Sequence, residues 1–387
     1  MVDLRQIYQS PLNPFPVYRA MRERTPIAMD SRGGVNVFPY QEVQRVLTEF
    51  ATFPSGFGSD PNDPLSTSLI SINPPRHRQM RSIVTQAFTP RVIALLEDRI
   101  RQIVDELLSQ VAGRGKMDFV TEFTNPLPII VIAELLGIPA SDQEKFKHWS
   151  DLIIGNTTSS AIENREATYQ KAYMEMYTYF MQMLEKRRNE PKNDLISALT
   201  QAQVEGEHLS DMELMGFCIL LLVAGNETTT NLIGNAMLCF DEHPEVMDEL
   251  RANPTLIPGA IEEVLRYRSP VQCMFRSCAV DTKLGETTIK KGQWLTAWIG
   301  SANRDESQFP NAETFDIHRT PNRHIAFGHG IHFCIGAPLA RLESRIALEE
   351  LLARFQNIKR DRSRELEHIG SFIVFGVQNM PVTFEAR

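Results

Sequence analysis

Apolar residues recur at the three-and-four spacing of an amphipathic helix across residues 92–111, 169–188, 210–242, 256–268 and 337–355. That pattern predicts a mainly helical chain. Period-two alternation is confined to Ile27–Met29 and 35–38, separated by the turn residues Gly33 and Gly34, and to a C-terminal stretch, 372–384, that reads as a hairpin. Only small β-sheets are expected. Residues 53–75 are rich in Pro, Gly, Ser and Asp but also carry Leu65, Leu69, Ile70 and Ile72, and a loop that long inside a compact fold usually serves function. The breaks at 113–115, 139–142 and 189–193 are short, with no change of composition across them, so residues 1–387 read as one domain.

Composition narrows the function classes. Forty Lys and Arg against forty-eight Asp and Glu give a net charge of -8, with the two signs interspersed. A broad basic face for nucleic acid is therefore excluded. The five cysteines, Cys218, Cys239, Cys273, Cys278 and Cys334, include no CxxC pair and do not form a disulfide framework. The opening MVDLRQIYQSPLNPFP lacks the basic, apolar and small-residue regions of a secretory signal, so a cytoplasmic location is expected. The longest apolar run, 214–225, is shorter than the roughly 20 residues of a membrane span and predicts a buried helix instead.

Within FGHGIHFCIGAPLAR (327–341), glycines let the backbone turn tightly, and Cys334 falls just before the N-terminus of a helix. Unpaired amides and the positive end of the helix dipole favour an anion there, which suits a thiolate. Such a thiolate can ligate a metal, attack as a nucleophile or lie inert in a core. His324, His329, His332 and Cys334 also offer zinc-type donors, although their spacing matches no established finger.

Ser210 and Glu213 form a capping box that starts a helix ending at His243 and Pro244. Its middle, GFCILLLVAGNETTTNLIG, is apolar nearly all round and must be buried, so Asn226, Glu227, Thr228, Thr229 and Thr230 need partners. Read locally, Thr228 bonds back to a carbonyl of the preceding turn. Elsewhere, Glu262 and Glu263 both lie within helical reach of Arg266, as in a surface ion pair, and PPRHRQMR puts His77 and Arg81 on one helical face.

Taken in order, PPRH, AGNET, ExxR (Glu263 to Arg266), ANRD and FxxGxxxCxG followed by an LAR helix resemble the cytochrome P450 superfamily along nearly the whole chain. The resemblance implies the single-domain, mainly helical cytochrome P450 fold with haem b as cofactor and Cys334 as its axial thiolate ligand. It makes Phe327, Gly328 and Gly336 part of the haem loop, gives Ala224 the role of leaving room beside the iron, and assigns the propionates to His77, Arg81, Arg276 and His332. Glu227 and Thr228 become the catalytic acid and alcohol of oxygen activation. Glu263, Arg266 and Arg319 become a buried structural network.

The implied reaction is monooxygenation by O2 and two electrons. No nucleotide or flavin motif is present, so electrons are expected from an external ferredoxin or flavodoxin with its NAD(P)H-dependent reductase. Arg78 and Arg341 are the expected docking residues. The expected substrate pocket combines Leu65, Leu69 and Ile70, Leu220, Leu221 and Ala224, Val271, Cys273, Met274 and Phe275, and Phe372 and Ile373. Its apolar character points to a lipophilic small molecule such as a steroid, terpenoid or fatty acid. Two rival readings are a peroxide-driven peroxygenase, in which the acid–alcohol pair is replaced, and a non-catalytic haem or metal sensor.

Overall fold

The helix expected over 210–242 forms as Asp211–Glu242 and becomes the axis of the molecule. The computed structural model describes residue 7 and residues 9–56, 66–154, 165–204 and 206–387. Ser210 Oγ accepts from Glu213 N at 3.3 Å while Glu213 Oε2 accepts from Ser210 N at 2.9 Å, closing the capping box. Pro244 opens the next helix, Pro244–Ala252. Among the described residues this is the one helix long and apolar enough to cross a membrane, but most of its apolar stretch is buried in the largest core cluster. The helix Pro126–Leu136 packs closely against it: a Cβ on Gly225 would stand 3.1 Å from Ile132 Cδ1.

The other expected helices form as Arg165–Asn189, Ile257–Tyr267 and Ala337–Arg354. The stretch 92–111 does not form one helix. It divides into Pro90–Ala94 and Glu97–Ala112: Leu95, at the break, is 78% exposed, and Glu97 and Asp98 begin a new first turn.

Ile27–Met29 and Val35–Val37 pair antiparallel, as their alternation predicts. Val35–Val37 then pairs parallel with Trp294–Ala297, whose other edge takes Met274–Ser277 antiparallel. A second sheet corrects the expected hairpin over 372–384. Its strand Pro381–Ala386 lies between Phe355–Arg360 and Lys116–Asp118, while Val374 forms an isolated bridge to Val271. The alternation of Val382 and Phe384 marks a strand with one buried face, but its partner is chosen by packing: the Phe384 ring meets Phe355 at 4.1 Å.

Glu263 and Arg266 are not a surface pair. Both side chains are fully buried, with Arg266 Nη2 to Glu263 Oε1 at 2.7 Å and Nε to Oε2 at 2.8 Å. Arg319 Nε adds a bond to Glu263 Oε1 at 3.2 Å, and Arg266 Nη1 donates to the carbonyls of Asn303 and Ala312. This network fixes the segment 303–319 against the helix Ile257–Tyr267, just ahead of the cysteine loop.

Candidate active site

Gly328 and Gly330 both have φ of 72°, a left-handed conformation that glycine adopts without strain, and they fold the loop so that Cys334 N donates to Phe327 O at 2.9 Å. Gly336, with φ of -79°, is the N-cap of Ala337–Arg354. Cys334 is open to solvent on one side and enclosed on the others. Burial pushes its thiol up, whereas the amides of Gly336 and Ala337 and the guanidiniums of Arg81 and Arg341 act in the opposite direction. The helix N-terminus thus favours the thiolate as expected, but its amides alone do not outweigh burial. A coordinating metal cation would supply what is missing, because it deprotonates a thiol outright.

Two histidines and two arginines form a connected group next to the cysteine loop. The rings of His77, on the helix Arg76–Ala87, and His332 lie 4.4 Å apart. Burial, reinforced by Arg81, pulls His77 down to about 4; burial, then Arg276, His77 and Arg81, pull His332 down to about 3. Arg276 is buried, donates to the neighbouring Phe275 carbonyl at 2.7 Å, and is lowered to about 10 by burial. Arg81 Nη2 donates to Phe333 O at 2.5 Å, bridging the helix to the cysteine loop. Nε2 of His77 and Nε2 of His332 have no hydrogen-bond partner among the described residues, and no carboxylate forms an ion pair with any of the four groups there. The two arginines have no acid to pair with and require an anion, the two neutral imidazoles can each donate an N–H to it, and a haem carries two propionates. The residues present therefore fit that group.

On the long helix, Ala224 is exposed and Thr228 half-buried. Thr228 Oγ1 donates to Ala224 O at 2.7 Å, which is the local back-bond. Its proton is thus already engaged, leaving lone pairs to accept. Glu227, one residue earlier, is buried; burial lifts its carboxyl to about 7, and its Oε1 has no partner among the described residues.

The zinc reading is not supported. His324 Nε2 pairs with Glu262 at 3.0 Å, His329 Nδ1 with Thr48 Oγ1 at 3.0 Å, and His332 with His77, and no metal-holding group of His, Cys, Asp or Glu exists among the described residues. Of the expected pocket residues, Leu65 lies outside the described residues. Leu69 and Leu221 are buried in the main core, and Cys273 is buried in a smaller core cluster that also holds Phe15, Tyr18 and Trp298. Ile70, Leu220, Val271, Met274 and Ile373 are half-buried, and the Phe275 and Phe372 rings meet edge to face at 6.1 Å.

Arg78 is exposed, but Arg341 is not an unpaired docking charge. Its Nε and Nη2 hold Glu262 at 2.6 and 2.8 Å, and its guanidinium lies 4.6 Å from the Phe327 ring centroid. Burial alone would raise the Glu262 carboxyl, yet the hydrogen bonds from Arg341 and His324 hold it down at about 2. By helical reach alone, Glu262 and Glu263 compete for Arg266. Helical spacing offers each carboxylate the same partner, and only the long-range return of the chain separates them.

The family model described as Cytochrome P450 matches residues 117–383. Cytochrome P450 109 of Bacillus spizizenii is 42% identical over 376 residues, covering 96% of this chain and 92% of its own length. The erythromycin C-12 hydroxylase of Saccharopolyspora erythraea is 40% identical over 375 residues, covering 94% and 92%. The crystal structure of CYP109E1 from Bacillus megaterium in complex with testosterone superposes with a TM-score of 0.90 at 42% identity, covering 97% of this chain and 98% of the other. With a cysteine loop, a cluster of arginines and histidines and a polar interruption of the long helix already in place, this chain belongs to the cytochrome P450 family, whose members are monooxygenases that bind haem through a cysteine thiolate.

Proposed function

We propose that the chain binds haem b through Cys334, holds the propionates with His77, Arg81, Arg276 and His332, and hydroxylates a lipophilic, steroid-like molecule. The observation that carries this reading is the set of two arginines and two histidines, without acidic partners among the described residues, beside a sulfur that faces two backbone amides. Bound haem supplies the centre at which O2 is reduced and one oxygen atom enters a C–H bond. The protein's own part is to hold the sulfur as a thiolate, neutralise the propionates and control protons. Glu227, lifted to about 7 by burial, can carry a proton near neutral pH, and Thr228 offers an acceptor next to Ala224.

The steroid class is drawn from CYP109E1, solved with testosterone and with corticosterone, each at 42% identity to this chain. The half-buried apolar set of Ile70, Leu220, Val271, Met274 and Ile373 is chemically suited to it. Electrons come from a redox partner; we assign a ferredoxin or flavodoxin, with Arg78 at the docking surface. Pyridine haemochrome analysis of the purified protein should identify haem b. Titration with steroids, terpenoids and fatty acids should shift the haem absorption band most strongly with steroids; a response to fatty acids alone would overturn the substrate class.

A further inference from the structure

We propose that a cleft beside the helix Phe15–Arg24 binds an organic monocarboxylate with an apolar body. The cleft has a volume of about 460 Å³, within the roughly 300–1,000 Å³ of small-molecule sites. Leu12, Phe15 and Pro16 line it together with Tyr267, Arg268 and Arg304. None of its lining residues belongs to the cysteine loop, to the arginine–histidine group beside that loop or to the expected substrate pocket.

Arg268 and Arg304 are 8% and 3% exposed, and each has one acid. Glu242 sets both of its oxygens on Nη2 of Arg268, at 2.6 and 2.5 Å, instead of spanning two nitrogens as a carboxylate on a guanidinium commonly does. Nε of Arg268 is left without a partner, and its Nη1 donates to no atom among the described residues. Arg304 directs Nε to Tyr267 O at 2.9 Å and Nη1 to Glu313 at 2.6 Å, and its Nη2 likewise donates to nothing among the described residues. It is not free to turn away, because its guanidinium lies 3.6 Å from the ring centroids of both Phe15 and Tyr267. Burial lowers the Arg304 guanidinium and the nearby Arg268 charge acts in the same direction, so two like charges repel at one cleft. Water can accept from the unused N–H groups, but it carries no charge to offset the repulsion. A carboxylate shared by the two guanidiniums does both.

The rest of the lining sets the class of ligand. Leu12, Phe15 and Pro16 give its body an apolar wall. Glu242 and Glu313 also line the cleft and already match the two arginines, so a second negative charge on the ligand would face them. A monoanion fits where a phosphate dianion does not. Asn13, Pro16 and Arg19 are exposed, which opens the cleft to solvent along the helix Phe15–Arg24.

The test is fluorine NMR of para-fluorobenzoate titrated into the holoenzyme, with para-fluorobenzyl alcohol and inorganic phosphate as the uncharged and multiply charged comparisons. The benzoate should bind at least tenfold more tightly than either, without moving the haem absorption band. Arg268→Gln removes the unused N–H groups while half-exposed Glu242 stays hydrated. It should weaken benzoate binding at least tenfold and leave the carbon-monoxide spectrum unchanged. Asn13→Trp, at the exposed rim, should obstruct the cleft to similar effect and serves if Arg268→Gln misfolds. Parent affinity in either folded variant overturns the site, as does a parent that fails to bind the benzoate at millimolar concentration. Equal binding of the alcohol or of phosphate overturns the ligand class, and a haem-band shift that follows the titration would put the benzoate in the substrate pocket instead.

Discussion

Cys334 works against its own surroundings. Burial raises its thiol, and the two amides and two arginines around it are too weak to reverse that alone, so in the function we propose it is ligation that would hold the thiolate. Cys334→Ala should therefore abolish the strongly red-shifted Soret band of the reduced, carbon-monoxide-bound protein; a retained band would remove the cysteine from the iron. Glu227 is governed by the opposite balance, since nothing offsets its burial. Its folded-state carboxyl titrates at about 7 against 4.5 for a glutamate free in water, so across that interval the folded protein keeps a proton the unfolded chain has released. Stability must then fall as pH rises through the interval and level off above it. Glu227→Gln should abolish that slope and be the more stable protein in mild alkali by about 3 kcal/mol. Denaturation midpoints measured on both sides of the interval check this, and identical slopes in parent and variant would refute it. Thr228→Ala should keep the haem spectrum but form more peroxide per electron donor consumed, because the alcohol next to Ala224 is lost while the scaffold is untouched.

At the scale of elements, the helices are set by their own sequence and the sheets by what returns to them. Ser210, Glu213 and Pro244 bound the long helix at both ends, so it was legible almost to the residue. Leu95 broke an otherwise regular pattern because periodicity counts an apolar residue as buried whether or not anything covers it. The strand Pro381–Ala386 was legible as a strand, but its neighbours come from residues 116–118 and 355–360, and no local signal carries that pairing. The same division applies to the site. His77 and Arg81 share a helical face and could be paired on sequence, whereas the contact of His77 with His332 and the unpartnered carboxyl oxygen of Glu227 depend on tertiary packing. The Glu263–Arg266–Arg319 network shows what such packing protects. Removing one partner of a fully buried pair typically costs about 3–5 kcal/mol, so Glu263→Gln should lower the melting temperature and haem retention together. Unchanged haem content and melting would show that the network does not hold the cysteine loop in place.

For the whole molecule, a net charge of -8 repels an acidic electron donor at long range, so productive docking needs a local positive region. Arg341 contributes little to one, because Glu262 takes up its charge and the Phe327 ring covers its face. Replacing Arg341 with an acid would set two carboxylates against each other beneath the cysteine loop, and any loss of reduction there would report damage rather than docking. Arg78 is the cleaner probe, since it is exposed on the helix that carries His77 and Arg81 while neither of those roles passes through it. Steering by such a charge acts on the association rate and is screened within about 8–10 Å at physiological salt. Reduction by an external ferredoxin should therefore slow as ionic strength rises, and Arg78→Glu should slow it several-fold at low salt and much less at high salt. Substrate-induced spectral shifts should be the same in parent and variant. A reduction rate indifferent to salt, or to reversal of this charge, would place the electron donor on a different face of the protein.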